Sequence, residues 1–267
     1  MVFSPYFWAV VAVAFLVSAI GFKNYIWFFS IGYGFAIAAE GILLAALFGG
    51  GLTLGTALCC VIFIVYGCRL GGYLAYREAK LKSYHKHLGD EIKDSKTIPF
   101  FAKVSIWFFC AVLYVTMVCP LFYRLQNGTA DDVFVFVGAA MMLLGFLMEA
   151  EADREKKAAK AKNPHRFVDT GLYRIVRCPN YLGEVILWTG VLVVGFGSLT
   201  GLGQWILAII GYLGILYVMF SGARRLELRQ NRTYGDDPEY QTYSRKVPIL
   251  LPLIPLYSVV KYKWLVA

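Results

Sequence analysis

The chain has 267 residues, of which 59% are hydrophobic, and it carries a formal net charge of +9. A soluble domain of this size needs a polar surface, so this composition excludes a soluble globular protein and indicates a membrane protein. In a membrane protein, a basic excess first marks the cytoplasmic loops, so nucleic-acid binding is not expected.

Apolar runs about long enough to cross a bilayer as a helix follow one another along the chain. Because backbone groups in hydrocarbon must be hydrogen-bonded internally, they predict an all-α polytopic membrane protein with seven transmembrane helices in a single domain, 1–267. The predicted spans are 6–22, 26–48, 52–76, 99–123, 132–152, 182–199 and 203–222.

Basic residues are concentrated in alternate connectors. The connector between runs three and four, the stretch 154–177 and the tail after run seven are rich in lysine and arginine, whereas Arg124 is the only base between runs four and five. This alternation predicts the N-terminus outside and the C-terminus in the cytoplasm. The first run lacks a basic leading segment and a cleavage site, so we interpret it as a retained helix.

The cysteines and the C-terminal prolines exclude further kinds of site and structure. The spacing of the six cysteines predicts neither a zinc site nor a disulfide framework, and no metal is expected. Pro248, Pro252 and Pro255 exclude an uninterrupted spanning helix in the C-terminal tail, which is expected at the membrane interface or packed under the helices.

Ionisable side chains within spans are functional candidates, and Glu40 lies well inside the second run. A carboxyl group there is expected to be protonated or paired, and it could donate a hydrogen bond or relay a proton. The alternative is a structural hydrogen bond to a neighbouring helix.

A second candidate group lies at the end of the third run. Helical spacing places Tyr66, Arg69, Tyr73 and Arg77 near one face, which suits a polar cavity open to the cytoplasm. An aromatic belt with snorkelling arginines is the alternative interpretation.

Acids precede bases in the helix that leaves the fifth run. Carboxylates such as Glu149 and Asp153 can accept from ribose hydroxyls, and bases such as Lys160 can neutralise phosphate. A solvated helix face is the alternative.

Asn180 lies in the turn that leads into the sixth run, and its amide could form the paired hydrogen bonds that a nicotinamide offers; Glu184 lies just inside the run. Farther along, Arg225 and Arg229 are four residues apart, so both can meet a single anion.

The segment GLYRIVRCPNYLGE (171–184), with RRLELR (224–229) and DPEYQTYSRKVPILLP (237–252), resembles the C-terminal domain of the steroid 5-alpha-reductase family. That domain is distantly shared with sterol reductases and isoprenylcysteine carboxyl methyltransferases. YGCRLGGYLAYREAK (66–80) resembles the helix with that family's catalytic tyrosine, and the similarity extends over roughly 40–255.

The resemblance implies NADPH-dependent reduction of the C4–C5 double bond of a 3-oxo-Δ4-steroid or similar enone lipid, with Glu40 and Tyr66 polarising the carbonyl. It assigns 1–123 to the substrate and 132–255 to the cofactor. No partner besides substrate and membrane lipid is expected, and the membrane would be the bacterial cytoplasmic membrane or the endoplasmic reticulum. The implied NADPH contacts are Arg69, Tyr73, Arg77, Lys80, Glu149, Asp153, Lys160, Asn180, Glu184, Arg225 and Arg229.

Three positions depart from the family pattern: Ala39 replaces a common glutamine before Glu40, Glu149 a common asparagine, and Arg229 a common histidine.

Two other functions stay open. A membrane methyltransferase using S-adenosylmethionine shares the Pro-Asn-Tyr neighbourhood, although such enzymes usually have histidine where this chain has Cys178. A transporter or receptor could use Glu40 and Arg69 as a proton or substrate path.

Overall fold

The computed structural model describes residues 1–80 and 98–266, and this part of the chain is all α-helical, as predicted. The side chain of Lys80 and the basic connector 81–97 lie outside the described residues, so the predicted contact of Lys80 does too. The helices are α1 (Pro5–Ser18), α2 (Ile31–Leu47), α3 (Leu54–Lys80), α4 (Phe100–Gln126), α5 (Val133–Lys162), α6 (Pro179–Gly195), α7 (Gly201–Tyr234) and α8 (Pro238–Lys246).

Six segments of the described chain are long and apolar enough to span a bilayer, which makes the protein a multi-pass membrane protein. They are Pro5–Phe22, Tyr25–Leu47, Leu54–Ala79, Phe100–Gln126, Val133–Lys162 and Gly201–Tyr234. The sixth predicted run, 182–199, corresponds to α6, which has 17 residues and is not among these six segments. At 1.5 Å per residue, α6 is about 26 Å long against a hydrocarbon core of about 30 Å. The count of seven and the orientation of the termini therefore stay predictions.

The chain divides into two compact units. The first contains Met1–Ala139 and Val191–Tyr212, and the second contains Ala140–Gly190 and Leu213–Ala267. The assignment of 1–123 to substrate and 132–255 to cofactor concerns what the residues bind, and it stays a prediction.

In the first unit, α2 packs along α3 with their backbones in contact. A Cβ atom added to Gly34 would lie 2.5 Å from the Gly71 nitrogen, and one added to Gly67 would lie 2.6 Å from the Ala38 nitrogen. Only glycine permits such an approach, which is typical of small-residue packing between membrane helices. Side chains next to these glycines are therefore held at fixed separations.

Arg124 corrects one prediction from the sequence. It was assigned to the connector after run four, but α4 continues to Gln126 and the Arg124 side chain is fully buried. Its guanidinium pairs with Asp132 at 2.8 Å and donates to the carbonyl oxygens of Ala130 and Val194, both at 2.8 Å. Arg124 can stay inside the protein because these acceptors replace water, so it closes the turn between α4 and α5.

In the second unit, the C-terminal tail is not a spanning helix, which confirms that part of the prediction for the described residues up to 266. The tail accepts hydrogen bonds from the segment before α6: Arg177 N donates to Pro248 O at 2.9 Å and Cys178 N to Ile249 O at 3.0 Å. Ile249 is fully buried, so the tail is packed into this unit.

A buried ion pair fastens the same tail. The Arg177 guanidinium lies 2.8 Å from the Glu227 carboxylate on α7, and both side chains are almost completely buried. The other Glu227 oxygen accepts from Val259 N at 2.9 Å. These contacts fix the segment before α6 and the tail relative to α7.

Candidate functional site

Glu40 is fully buried on α2. Neither carboxyl oxygen has a hydrogen-bond partner among the described residues, so the structural hydrogen bond that was its alternative explanation is not formed there. The Cys119 thiol on α4 is close enough to interact electrostatically with Glu40. Burying an unpaired carboxylate is costly, so the neutral acid, a hydrogen-bond donor, is the expected form.

Tyr66 is also fully buried, on α3, and its hydroxyl lies 3.0 Å from the hydroxyl of Tyr33 on α2. Tyr33 and Glu40 are seven residues apart, which is about two helical turns, so they share one face of α2. No hydrogen bond joins Glu40 to Tyr66 within the described chain, since the Glu40 oxygens have no partner there. Their proposed shared target, a carbonyl oxygen, stays a prediction.

The polar stripe on α3 follows the predicted spacing. The guanidinium carbons of Arg69 and Arg77 lie 5.4 and 5.8 Å from the Tyr73 ring centroid, one on each side along the helix. All three side chains are half-buried. Cation–π contacts of this kind hold both charges beside the ring. The geometry agrees with a polar surface, and the role in cofactor binding stays a prediction.

In the second unit, α5 and α6 cross with their backbones in contact. A Cβ atom on Gly183 would lie 2.7 Å from the Gly145 oxygen and 2.8 Å from the Glu149 nitrogen. Glu149 and Glu184 are therefore close to this crossing and both are buried, and Glu184 accepts from Trp188 Nε1 at 3.1 Å. The structure thus brings together two of the acidic residues predicted from the sequence.

Arg225 and Arg229 lie on an exposed part of α7 and face Tyr181, in the first turn of α6. Burial raises the pKa of Tyr181 and the charges of both arginines oppose that shift, and neither arginine forms an ion pair with a carboxylate of the described chain. Asn180 is half-buried beside Tyr181. Two accessible guanidinium groups near a helix N-terminus fit the pyrophosphate of a dinucleotide.

Lys160 lies in a different environment. Its ammonium group donates to the Tyr234 hydroxyl at 2.7 Å, to Pro164 O at 3.1 Å and to Arg166 O. An ammonium group has three donors, so these contacts use all of them. The geometry favours a structural role for Lys160 in holding the loop after α5.

Asp153 is half-buried on α5, near Tyr173. Burial first, and the charge of Asp153 second, raise the pKa of Tyr173, whose hydroxyl donates to Ala152 O at 3.3 Å. Burial also raises the pKa of Cys178 to about 12, so this cysteine stays a neutral thiol.

The residues missed from the sequence include Tyr33. The sequence contains a pattern that could have identified it, because Tyr33 precedes Glu40 by two helical turns and therefore shares its helix face, and it lies beside Gly34. Arg177 and Glu227 were seen only as members of longer motifs, and their pairing joins positions 50 residues apart. No local pattern could predict that pairing.

Comparison with known proteins gives one family. Residues 14–247 match the model of a family described as a protein of unknown function, DUF1295. Searches of curated proteins and of solved structures each found no significant match. Since the matched segment covers most of the chain, the protein belongs to the DUF1295 family, which is related to the steroid 5-alpha-reductases.

Proposed function

We propose that the protein uses NADPH to reduce the C4–C5 double bond of a 3-oxo-Δ4-steroid or similar enone lipid. The observation that carries the proposal is the fully buried Glu40, whose two oxygens have no hydrogen-bond partner in the described chain. A buried carboxyl group without a hydrogen-bond partner destabilises the fold, so its presence is not explained by stability. It is explained if the group is kept available to donate a hydrogen bond to a substrate oxygen. The relationship to steroid 5-alpha-reductases supports the same function.

The proposed reaction places negative charge on the substrate oxygen. Bound NADPH would supply a hydride to the β-carbon of the substrate, whose double-bond electrons would move to the carbonyl oxygen while its α-carbon takes a proton from solvent. Tyr66 and Glu40 donate hydrogen bonds to that oxygen and stabilise the enolate-like transition state. Both side chains are fully buried, so little water competes for the oxygen.

For cofactor binding, we propose that Arg225 and Arg229 hold the pyrophosphate and that Asn180 contacts the nicotinamide amide. Both guanidinium groups are exposed and outside ion pairs of the described residues, which supports this assignment. Arg69, Tyr73, Arg77, Glu149, Asp153 and Glu184 remain further candidates.

These arginines also bear on the alternative cofactor. S-Adenosylmethionine has no phosphate and only one carboxylate, whereas the pyrophosphate of a dinucleotide carries two negative charges for the two accessible guanidinium groups. The arrangement therefore favours the dinucleotide over the methyl donor.

The test measures NADPH oxidation and product formation by the purified protein with testosterone or progesterone. Tyr66→Phe and Glu40→Gln should each lower turnover about tenfold or more, roughly one oxyanion donor's worth or less. Tyr123→Phe is the matched control, because it removes another buried hydroxyl of the first unit, which donates to Val2 O at 3.1 Å. Full turnover in both site variants would refute the assignment.

A further inference from the structure

Tyr33 lies next to the proposed catalytic residue Tyr66 but has no role in the reaction as proposed above. It is buried on α2, and its hydroxyl is 3.0 Å from that of Tyr66, with either oxygen able to donate. When Tyr66 donates its proton to a ketone oxygen, its own oxygen is left as an acceptor. The Tyr33 hydroxyl is within hydrogen-bonding distance to donate to it.

Tyr33 is itself held in place by an aromatic neighbour. Its ring packs against Tyr114 of α4 with the centroids 5.3 Å apart, and the Tyr114 hydroxyl donates to the backbone oxygen of Phe28. Phe28 is fully buried at the end of the short turn Tyr25–Phe28. The Tyr33 ring therefore has little freedom to turn away from Tyr66.

The backbone also fixes the distance between the two hydroxyls. Tyr33 directly precedes Gly34 and Tyr66 directly precedes Gly67, and at these glycines α2 and α3 are in backbone contact. The two tyrosines thus lie next to a point where the backbones of the two helices are in contact. Preorganised donors of this kind contribute most to a transition state, because they need no rearrangement when charge develops.

We infer that Tyr33 is a positioning residue for the reduction: it donates to the Tyr66 oxygen, orients the Tyr66 proton toward the substrate ketone and strengthens that donation. The inference rests on the proposed function, because it assigns Tyr33 no effect except through Tyr66. A hydrogen bond received by the Tyr66 oxygen stabilises the partial negative charge that builds there as its proton moves toward the enolate.

The experiment compares Tyr33→Phe, Tyr66→Phe and the double variant in the steroid assay, with Tyr123→Phe as the control and unfolding temperature measured for each. Tyr33→Phe keeps the ring against Tyr114 and removes only the hydroxyl. We expect kcat to fall about three- to tenfold, as one hydrogen bond allows, with both KM values within about twofold of wild type. The double variant should be no slower than Tyr66→Phe, since Tyr33 acts through Tyr66.

Two results would overturn the inference: wild-type kcat in Tyr33→Phe while Tyr66→Phe is impaired, or losses that multiply in the double variant. Full turnover in Tyr66→Phe would also overturn the inference, because it removes the role of Tyr66, whereas full turnover in both Tyr66→Phe and Glu40→Gln would refute the proposed function itself. Should Tyr33→Phe fail to fold, 3-fluorotyrosine at position 33 keeps the hydroxyl and makes it a stronger donor. A raised kcat then supports the inference, and an unchanged or lower kcat contradicts it.

Discussion

Gly67→Ala should separate α2 from α3 and disrupt the tyrosine pair. The new methyl group would lie against the Gly34 carbonyl oxygen and 2.6 Å from the Ala38 nitrogen, whereas ordinary contact begins at 3.4 Å, and both of these atoms belong to the backbone of α2. The helices must therefore move apart locally by about 0.8 Å. Added to the hydroxyl separation of 3.0 Å, this exceeds the limit of about 3.5 Å for a hydrogen bond.

We expect Gly67→Ala to lower the free energy of unfolding by about 1–3 kcal/mol, as overpacking does, and to lower kcat as much as Tyr33→Phe or more. Gly72→Ala is the matched control five residues along α3, because nothing lies within 4 Å of its added Cβ. The control should be as stable as wild type or slightly more so. Thermal melts in detergent and the steroid assay measure both effects, and equal behaviour of the two variants would refute the reasoning.

Three further predictions concern the second unit. Arg225→Ala should weaken NADPH binding about tenfold in a direct titration, whereas Arg224→Ala should instead lower stability, because Arg224 donates to the tail carbonyl of Val260 at 3.2 Å. Lys160→Met should lower the unfolding temperature and leave the NADPH Kd unchanged, since its donors serve the protein. Glu227→Gln should cost about 3–5 kcal/mol of stability in a melt, because it leaves Arg177 buried without its counter-charge.

Each of these three predictions has an outcome that would contradict it. Unchanged NADPH affinity in Arg225→Ala would remove the pyrophosphate assignment. A raised Kd with no loss of stability in Lys160→Met would restore that residue to the cofactor set. A melt of Glu227→Gln that matches wild type would show that the Arg177 pair does not fasten the tail.

The sequence predicted the features that depend on local periodicity. Apolar length predicted the long helices, and helical spacing predicted the stripe in which Arg69 and Arg77 flank Tyr73. Three prolines correctly excluded a spanning helix in the tail. These properties are set by residues a few positions apart, so the sequence alone carries them.

Features that depend on tertiary contacts were missed or misplaced. Arg124 was assigned to a connector because a charge ends an apolar run, yet distant carbonyl oxygens allow it to be buried inside α4. The charge of Lys160 predicts a phosphate ligand, which stays a prediction, and its contacts with a loop and with Tyr234 could not be predicted from the sequence. Tyr33 looked like an ordinary aromatic residue of a span until Tyr66 was placed opposite it.

Transfer of deuterium tests the central claim most directly. The purified protein would be incubated with progesterone and NADPH carrying deuterium at the transferable position, and the product analysed by mass spectrometry and NMR. The account predicts a saturated ketone with one deuterium at the former β-carbon and a solvent proton at the α-carbon, and much less of it from Tyr66→Phe. Unreduced steroid, or a reduced product without deuterium, would contradict it.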